Sequence, residues 1–568
     1  MNKGLKTRFL LRGFLVSLLC IFSIGIISQG VFSGPQFGGS QYHPELNGHS
    51  AKNVIILMGD GFSAGHIATT RWYKGSNLAL DEMFCGALRT FGAESIVTDS
   101  APAATAFACG YKTSDKFLGI MPDNVTVPYV DKPTEEERMK PIASVLEGAR
   151  LVGKSCGLVA TSQIQHASPA GYSAHWPDRG NYNEIAEQMV YQNMDVVFGG
   201  GKKYMLPESE KGTRIDGENM LQILKEKGYD CIETRDEMLA QKKPKVWGLF
   251  AANDMSYEMD RQTLHPEQPS LSEMTAKAIE LLSKNKRGFF LFVEGSKIDW
   301  ASHANDPIGV ISDMLAYDDA VRVALNFAAQ DKRTLVMGFS DHGNGGMTIG
   351  STATDNTYSK MKPEELLTSL QKATLTGEGI QQMIGSERTP EKIKEVVEQY
   401  YGINDLSEEE VARIQNSKLE LNYELGPMMS KRAHIGWTTF GHTGEDLFLF
   451  AYGPNRPVGI IDNTEVAYIT AESLGFELST IDQLLYNEAG SFADKIGASL
   501  TIDKTDEKNL SLILSKGEML VKLPISKNVL IWKDKTYQIK GLTLLAPKTN
   551  KVYITQYAMD LIADISEE

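Results

Sequence analysis

Residues 96–110 read IVTDSAPAATAFACG. A short apolar run ends in Thr98-Asp99-Ser100, and an Ala-rich stretch of high helical propensity follows. This is a strand-to-helix junction with Ser100 at the start of the helix. There the free backbone N–H groups and the helix dipole favour an anion. A serine so placed can attack a phosphoryl or acyl centre once something removes its proton. An ordinary N-cap serine has the same local pattern, so the remaining residues must decide between the two readings.

Working outward, residues 53–58 (NVIILM) form a continuous apolar run ending in Gly59-Asp60-Gly61. Residues 154–161 (KSCGLVAT) precede Gln165-His166-Ala167-Ser168-Pro169, and Arg179 follows in HWPDRGN. Residues 288–295 (GFFLFVEG) end in Glu294, and residues 334–339 (TLVMGF) run into Ser340-Asp341-His342-Gly343. Unbroken apolar strands alternating with helical stretches predict an α/β fold with a parallel sheet covered on both faces. Open α/β sheets place ligands at the C-terminal ends of their strands. Asp60, Glu294, Asp341, His342 and the Ser168 loop all fall there. Asp299 and His303, four residues apart, share one face of a helical turn as a metal pair requires. Taken singly, each is equally a turn aspartate, a solvated loop residue or a surface hydrogen bond. Together these acids and imidazoles predict a site for zinc, or for magnesium where oxygens dominate.

Composition narrows the partners. The 568 residues carry 57 Lys and Arg against 72 Asp and Glu, a net charge of −15. No basic stripe exists to release counterions, which argues against nucleic acid. Lys3, Lys6, Arg8 and Arg12 precede an apolar run over residues 14–28 that is short for a membrane span and ends in small residues. This pattern predicts a cleaved signal peptide over residues 1–30, a linker over 31–50, no membrane span in the mature chain, and a secreted or periplasmic enzyme. An uncleaved anchor is the alternative. Cys85, Cys109, Cys156 and Cys231 are free to form two bridges or to remain buried thiols.

The stretches MGDG (58–61), TDSAPAATAFACG (98–110), QHASPAG (165–171), FVEGSKIDWASH (292–303), SDHGN (340–344) and GHTGED (441–446) are, in order and separation, similar to those of alkaline phosphatases over roughly residues 50–490. The resemblance implies a three-layer sandwich with a central, mostly parallel sheet. It implies hydrolysis of phosphate monoesters through a phosphoserine at Ser100, with Arg179 clamping two phosphate oxygens. One zinc would be held by Asp299, His303 and His442. A second would be held by Asp60, Asp341 and His342, with Ser100 completing its shell. A third ion, usually magnesium, would take Asp60, Ser168 and Glu294, and the pairing of His166 with Trp300 beside it bears on its metal preference. No calcium is expected, because Ala251 and Ala252 follow Phe250 where a ligand carboxylate would stand. Family members are often dimers, so a homodimer is expected. A phosphodiesterase or sulfatase on the same fold, and a catalytically silent metal-binding surface protein, are the competing functions.

The resemblance divides the chain into a phosphatase core at 51–345 and 439–494 and an inserted cap at 346–438. Within the cap, residues 363–372 and 389–401 read as helices and 406–416 as a charged stretch. From residue 495 short alternating strands (510–514, 519–523, 528–532, 536–539, 552–554) predict a small C-terminal β-rich unit over 495–568.

Overall fold

A computed structural model describes residues 51–566. The signal peptide and linker expected over residues 1–50 lie outside the described residues. Ten strands form one sheet: β1 (Asn53–Gly59), β2 (Phe84–Arg89), β3 (Ser155–Gln163), β4 (Val196–Gly200), β5 (Asp230–Ile232), β6 (Val246–Leu249), β7 (Phe289–Gly295), β8 (Thr334–Phe339), β9 (Leu447–Tyr452) and β10 (Gly459–Asp462). Their spatial order is β10-β2-β9-β8-β1-β7-β3-β4-β6-β5. Only β9 runs antiparallel to its neighbours. The chain is therefore an α/β protein with a mostly parallel central sheet and helices on both faces.

The four strands whose ends were singled out in the sequence, β8, β1, β7 and β3, are consecutive at the middle of this sheet. They are buried on both faces, which is why they read as unbroken apolar runs rather than alternating ones. β2 and β10 are more exposed and more mixed in composition, lie toward one edge, and left no comparable run to read.

Two apolar clusters flank the sheet. One holds the long helix Pro307–Asp331 together with Leu370, Ile380, Ile393 and Met429 from residues 346–438, so those residues share a core with the sheet face. The helices there are Pro363–Leu370, Gly377–Ile384, Pro390–Val396, Glu408–Asn416 and Asn422–Arg432. The other cluster holds the Ser100–Cys109 helix, every residue of which is buried.

At the C-terminal end, five antiparallel strands from Ser499 to Gln538 form a meander, and the helix Gln556–Ser566 joins their core. A three-stranded sheet pairs Asn487–Glu488 with Lys551–Ile554, which pairs in turn with Leu544–Ala546. The four described cysteines are all free thiols, with Cys109 and Cys156 buried, so the two-bridge alternative does not hold. Among the described residues no helix is long and apolar enough to cross a membrane.

Candidate metal and phosphate site

Asp60 follows β1 directly, and its backbone N–H donates to the Gly295 carbonyl at 3.2 Å. In the β1–β7 register Met58 lies opposite Glu294. Asp341 and His342 follow β8. Both Gly61 N–H and His342 N–H donate to Asp341 Oδ1 at 3.1 Å, which leaves Oδ2 free to point elsewhere. His442 arrives from a hundred residues further on, through a two-residue antiparallel ladder that sets it opposite Asn344 and Thr443 opposite Gly343. The His342 and His442 rings stack with centroids 3.6 Å apart.

Ser100 opens its helix behind an extended Asp99. Its Oγ lies 3.3 Å from His342 Nε2. The same nitrogen is 3.2 Å from Asp341 Oδ2 and 3.5 Å from Asp60 Oδ1. A second convergence lies beside it: His303 Nε2 is 3.2 Å from His442 Nε2 and 3.4 Å from Asp299 Oδ2, and His442 Nε2 is 3.6 Å from Asp299 Oδ1. Asn344 Nδ2 donates to Asp299 Oδ1 at 2.7 Å and fixes that carboxylate.

The tautomers follow from the neighbours. His303 Nδ1 faces the Phe440 carbonyl at 2.7 Å, His442 Nδ1 the Thr98 carbonyl at 3.1 Å and His342 Nδ1 the Gly343 carbonyl at 3.3 Å. A carbonyl only accepts, so each Nδ1 carries a hydrogen, which leaves each Nε2 as the atom that would bind a metal ion. Three Nε2 atoms therefore point at carboxylate oxygens and at one another.

Unsatisfied atoms mark the same place. Asp60 Oδ1 and Oδ2, Asp341 Oδ2, Glu294 Oε1 and Ser168 Oγ are buried without a hydrogen-bond partner. Burial, with Asp341, Asp299 and Glu294 nearby, pushes the Asp60 carboxyl well above its ordinary range. Burial also lifts Glu294 and Asp341 to about 7 and pulls His342 down to about 3. Buried carboxylates and neutral imidazoles in this arrangement repel unless cations lie between them. The donor set fits divalent metal ions.

Arg179 is tied to the residue that precedes Ser100. Its Nη1 donates to Asp99 Oδ2 at 2.6 Å and its Nη2 to His166 Nε2 at 2.9 Å. His166 Nε2 is thus an acceptor, so its buried, unpartnered Nδ1 carries the hydrogen. His166, Asp60 and Glu294 offer atoms within 4.8 Å of one another, and the His166 ring meets Trp300 edge-on at 5.8 Å. Ser168 lies on the helix Ala167–Gly171, which packs hard against the Ser100 helix: a Cβ on Gly171 would stand 2.7 Å from that of Ala104.

All the residues singled out from the sequence fall in this one region. Sequence reasoning missed Asp99 and Asn344, although both sit inside quoted motifs. It also missed Lys297, whose buried ammonium pairs with Asp254 at 2.7 Å and Glu378 at 3.1 Å under the Asp299 helix.

Comparison with known proteins agrees with this fold. A family model described as alkaline phosphatase matches residues 51–476. Alkaline phosphatase 3 of Bacillus subtilis (strain 168) is 34% identical over 489 residues, which cover 82% of this chain and 98% of that protein. The crystal structure of Thermus thermophilus alkaline phosphatase superposes with a TM-score of 0.68 at 27% identity, covering 80% of this chain and 96% of that one. A TAB5 alkaline phosphatase variant with Mg bound in its M3 site superposes with a TM-score of 0.53 at 27% identity, covering 76% of this chain and 99% of that one. The chain belongs to the alkaline phosphatase family. Its activity is accordingly that of a phosphoric monoester hydrolase.

Proposed function

We propose that the protein hydrolyses phosphate monoesters through a phosphoserine at Ser100, assisted by two zinc ions and a third ion, magnesium. The observation that carries this reading is the position of Ser100 Oγ, 3.3 Å from His342 Nε2, where that nitrogen also faces unpartnered oxygens of Asp60 and Asp341.

Asp299, His303 and His442 offer two imidazoles and a carboxylate, a set that suits zinc. Asp60, Asp341 and His342, with Ser100, would hold the second zinc. Asp60, Glu294 and Ser168 are all oxygen donors and suit magnesium; a His-to-Asp mutant of the TAB5 enzyme carries Mg in its M3 site. Bound there, divalent ions would acidify the serine hydroxyl and offset the charge on the departing alkoxide.

The chain's own residues do the remaining work. The Arg179 fork, held by Asp99 and His166, presents N–H groups to two non-bridging phosphate oxygens. Ser100 Oγ bonds to phosphorus as the bond to the ester oxygen breaks, and the released alcohol takes up a proton. Water then cleaves the phosphoserine to inorganic phosphate and restores the hydroxyl. Positioning and charge stabilisation supply most of the acceleration in such reactions.

The reading includes export through residues 1–30 to the periplasm or medium, action as a homodimer, and a core at 51–345 and 439–494 with the 346–438 insertion and the 495–568 unit appended. The decisive experiment incubates the protein with a chromogenic phosphate ester, quenches it in acid and maps covalent phosphate by mass spectrometry. Phosphate on Ser100, absent from a Ser100→Ala variant of normal metal content, is the expected result. An adduct that persists in Ser100→Ala would overturn the assignment.

A further inference from the structure

A buried polar knot that no step above uses surrounds His175. Its Nδ1 donates to the Gly119 carbonyl at 2.7 Å, and its Nε2 lies 3.1 Å from Glu147 Oε1 and 2.7 Å from the Tyr486 hydroxyl. Tyr486 and Gln192 each donate to the same Glu147 oxygen at 2.7 Å. His175 and Glu147 are almost wholly buried. Gln188 clasps the His175 backbone from the other side: its Oε1 accepts from His175 N–H at 2.7 Å and its Nε2 donates to the His175 carbonyl at 3.2 Å.

Arg179 lies four residues further on. Between them the chain pairs with residues 116–118. Trp176 and Leu118 exchange backbone hydrogen bonds at 2.9 Å, and Arg179 N–H donates to the Lys116 carbonyl at 3.0 Å. His175 thus ties one end of a short ladder and Arg179 stands at the other. Gly119, at φ +58°, makes room for the knot, since a Cβ there would lie 2.6 Å from His175 Nδ1.

The knot also reaches the C-terminal unit. Tyr486 directly precedes Asn487–Glu488, which pairs with Lys551–Ile554. Gln188 Nε2 also donates to Ser526 Oγ at 3.4 Å, and the adjoining Lys527 pairs with Glu218 at 2.5 Å and Glu187 at 3.3 Å. The C-terminal unit therefore grips the helix Tyr182–Tyr191 and the knot from two sides.

We propose that His175 is a positioning residue for Arg179, and that the C-terminal β-rich unit acts through it, so that affinity for phosphate depends on a unit that never touches the substrate. The inference rests on the reading of Arg179 as the phosphate clamp. The chemistry is a buried charge pair whose remaining valences are filled by neighbours that are far apart in sequence. Such assemblies hold one geometry only while every member is satisfied.

The test uses the full-length, metal-replete protein. Tyr486→Phe removes one hydroxyl and keeps the ring packing. It is measured alone and combined with Arg179→Ala, with KM for p-nitrophenyl phosphate, inhibition by inorganic phosphate, kcat, metal content and melting temperature as readouts. The expected result is a rise of roughly threefold to tenfold in both KM and the phosphate inhibition constant, with metal content unchanged, and no such rise when Arg179 is already Ala. Ser526→Ala should shift the same two constants in the same direction by about twofold. The same factor in both Arg179 backgrounds, or a lower melting temperature with phosphate inhibition unchanged, would show that the knot only stabilises the fold. If Arg179→Ala leaves phosphate inhibition intact, the clamp itself is wrong and this inference falls with it.

Discussion

His303 and His442 present their Nε2 atoms to each other at 3.2 Å while backbone carbonyls hold both Nδ1 hydrogens. With both Nδ1 positions occupied, the two Nε2 atoms are the ring nitrogens left to face a shared ion. A divalent ion between them would take both lone pairs, with Asp299 as the third donor.

Chelation should therefore cost both stability and activity. Each site saturated at a thousandfold excess over its Kd contributes about 4 kcal/mol to the folded state. Calorimetry before and after dialysis against a chelator should show a lower melting temperature, and added zinc should return both melting temperature and phosphatase rate. An unchanged melting curve would mean that the donors hold no ion.

Asp99→Ala should loosen Arg179 without touching the metal donors. The lost bond at 2.6 Å is a charge-assisted one, partly exposed at both ends. KM for a monoester should rise by roughly threefold to tenfold, with metal content unchanged by elemental analysis. A fall in metal content instead would place Asp99 among the ligands.

Lys297→Met should destabilise strongly. Although burial opposes the charge, Glu378 and Asp254 hold the Lys297 ammonium in its protonated form. Removing it leaves two carboxylates, each about a quarter exposed, and the Met255 carbonyl without their shared cation, at a cost of about 3 kcal/mol, the low end for a buried pair because of that exposure. Denaturant titration of Lys297→Met and of Lys297→Met/Asp254→Asn checks this, with the double variant recovering part of the loss.

The Glu147–His175 pair predicts a pH dependence. Burial opposes charge on both groups, yet each holds its partner charged: Glu147 falls to about 2 and His175 is raised above its ordinary value. A lowered carboxylate contributes stability above its unfolded pKa and loses it only as pH falls through about 2. A raised histidine contributes fully below its unfolded pKa and loses that as pH rises through the folded value. The half-buried Asp482 and the buried Tyr486 face the same pair and add to the pull on His175 or share its hydrogen bond. Stability should therefore decline as pH rises above the ordinary histidine value of about 6.5, and melting curves of His175→Gln across pH 6–10 should show a flatter profile.

Much of this was legible in the chain. Residues 53–58 and 288–295 carry their burial on both faces as unbroken apolar runs, and parallel central strands have no other way to appear. The donors stand at the ends of those runs, so the motif stretches reveal them. The strand Gly459–Asp462 at the sheet edge and its neighbour Phe84–Arg89 did not show, because half-exposed strands of mixed composition look like loops.

By itself, then, the sequence determined the α/β class and which acids and imidazoles end the strands, because those are local properties of composition and periodicity, while its ordered motifs carried the family resemblance. Only the tertiary structure decided that Asp99 holds Arg179, that Asn344 orients Asp299, that the cysteines stay apart, and that Tyr486 reaches His175 across 311 positions. Those are pairings between side chains distant along the chain. Local pattern carries no information about them, since each partner on its own looks like an ordinary polar residue until packing brings the two together.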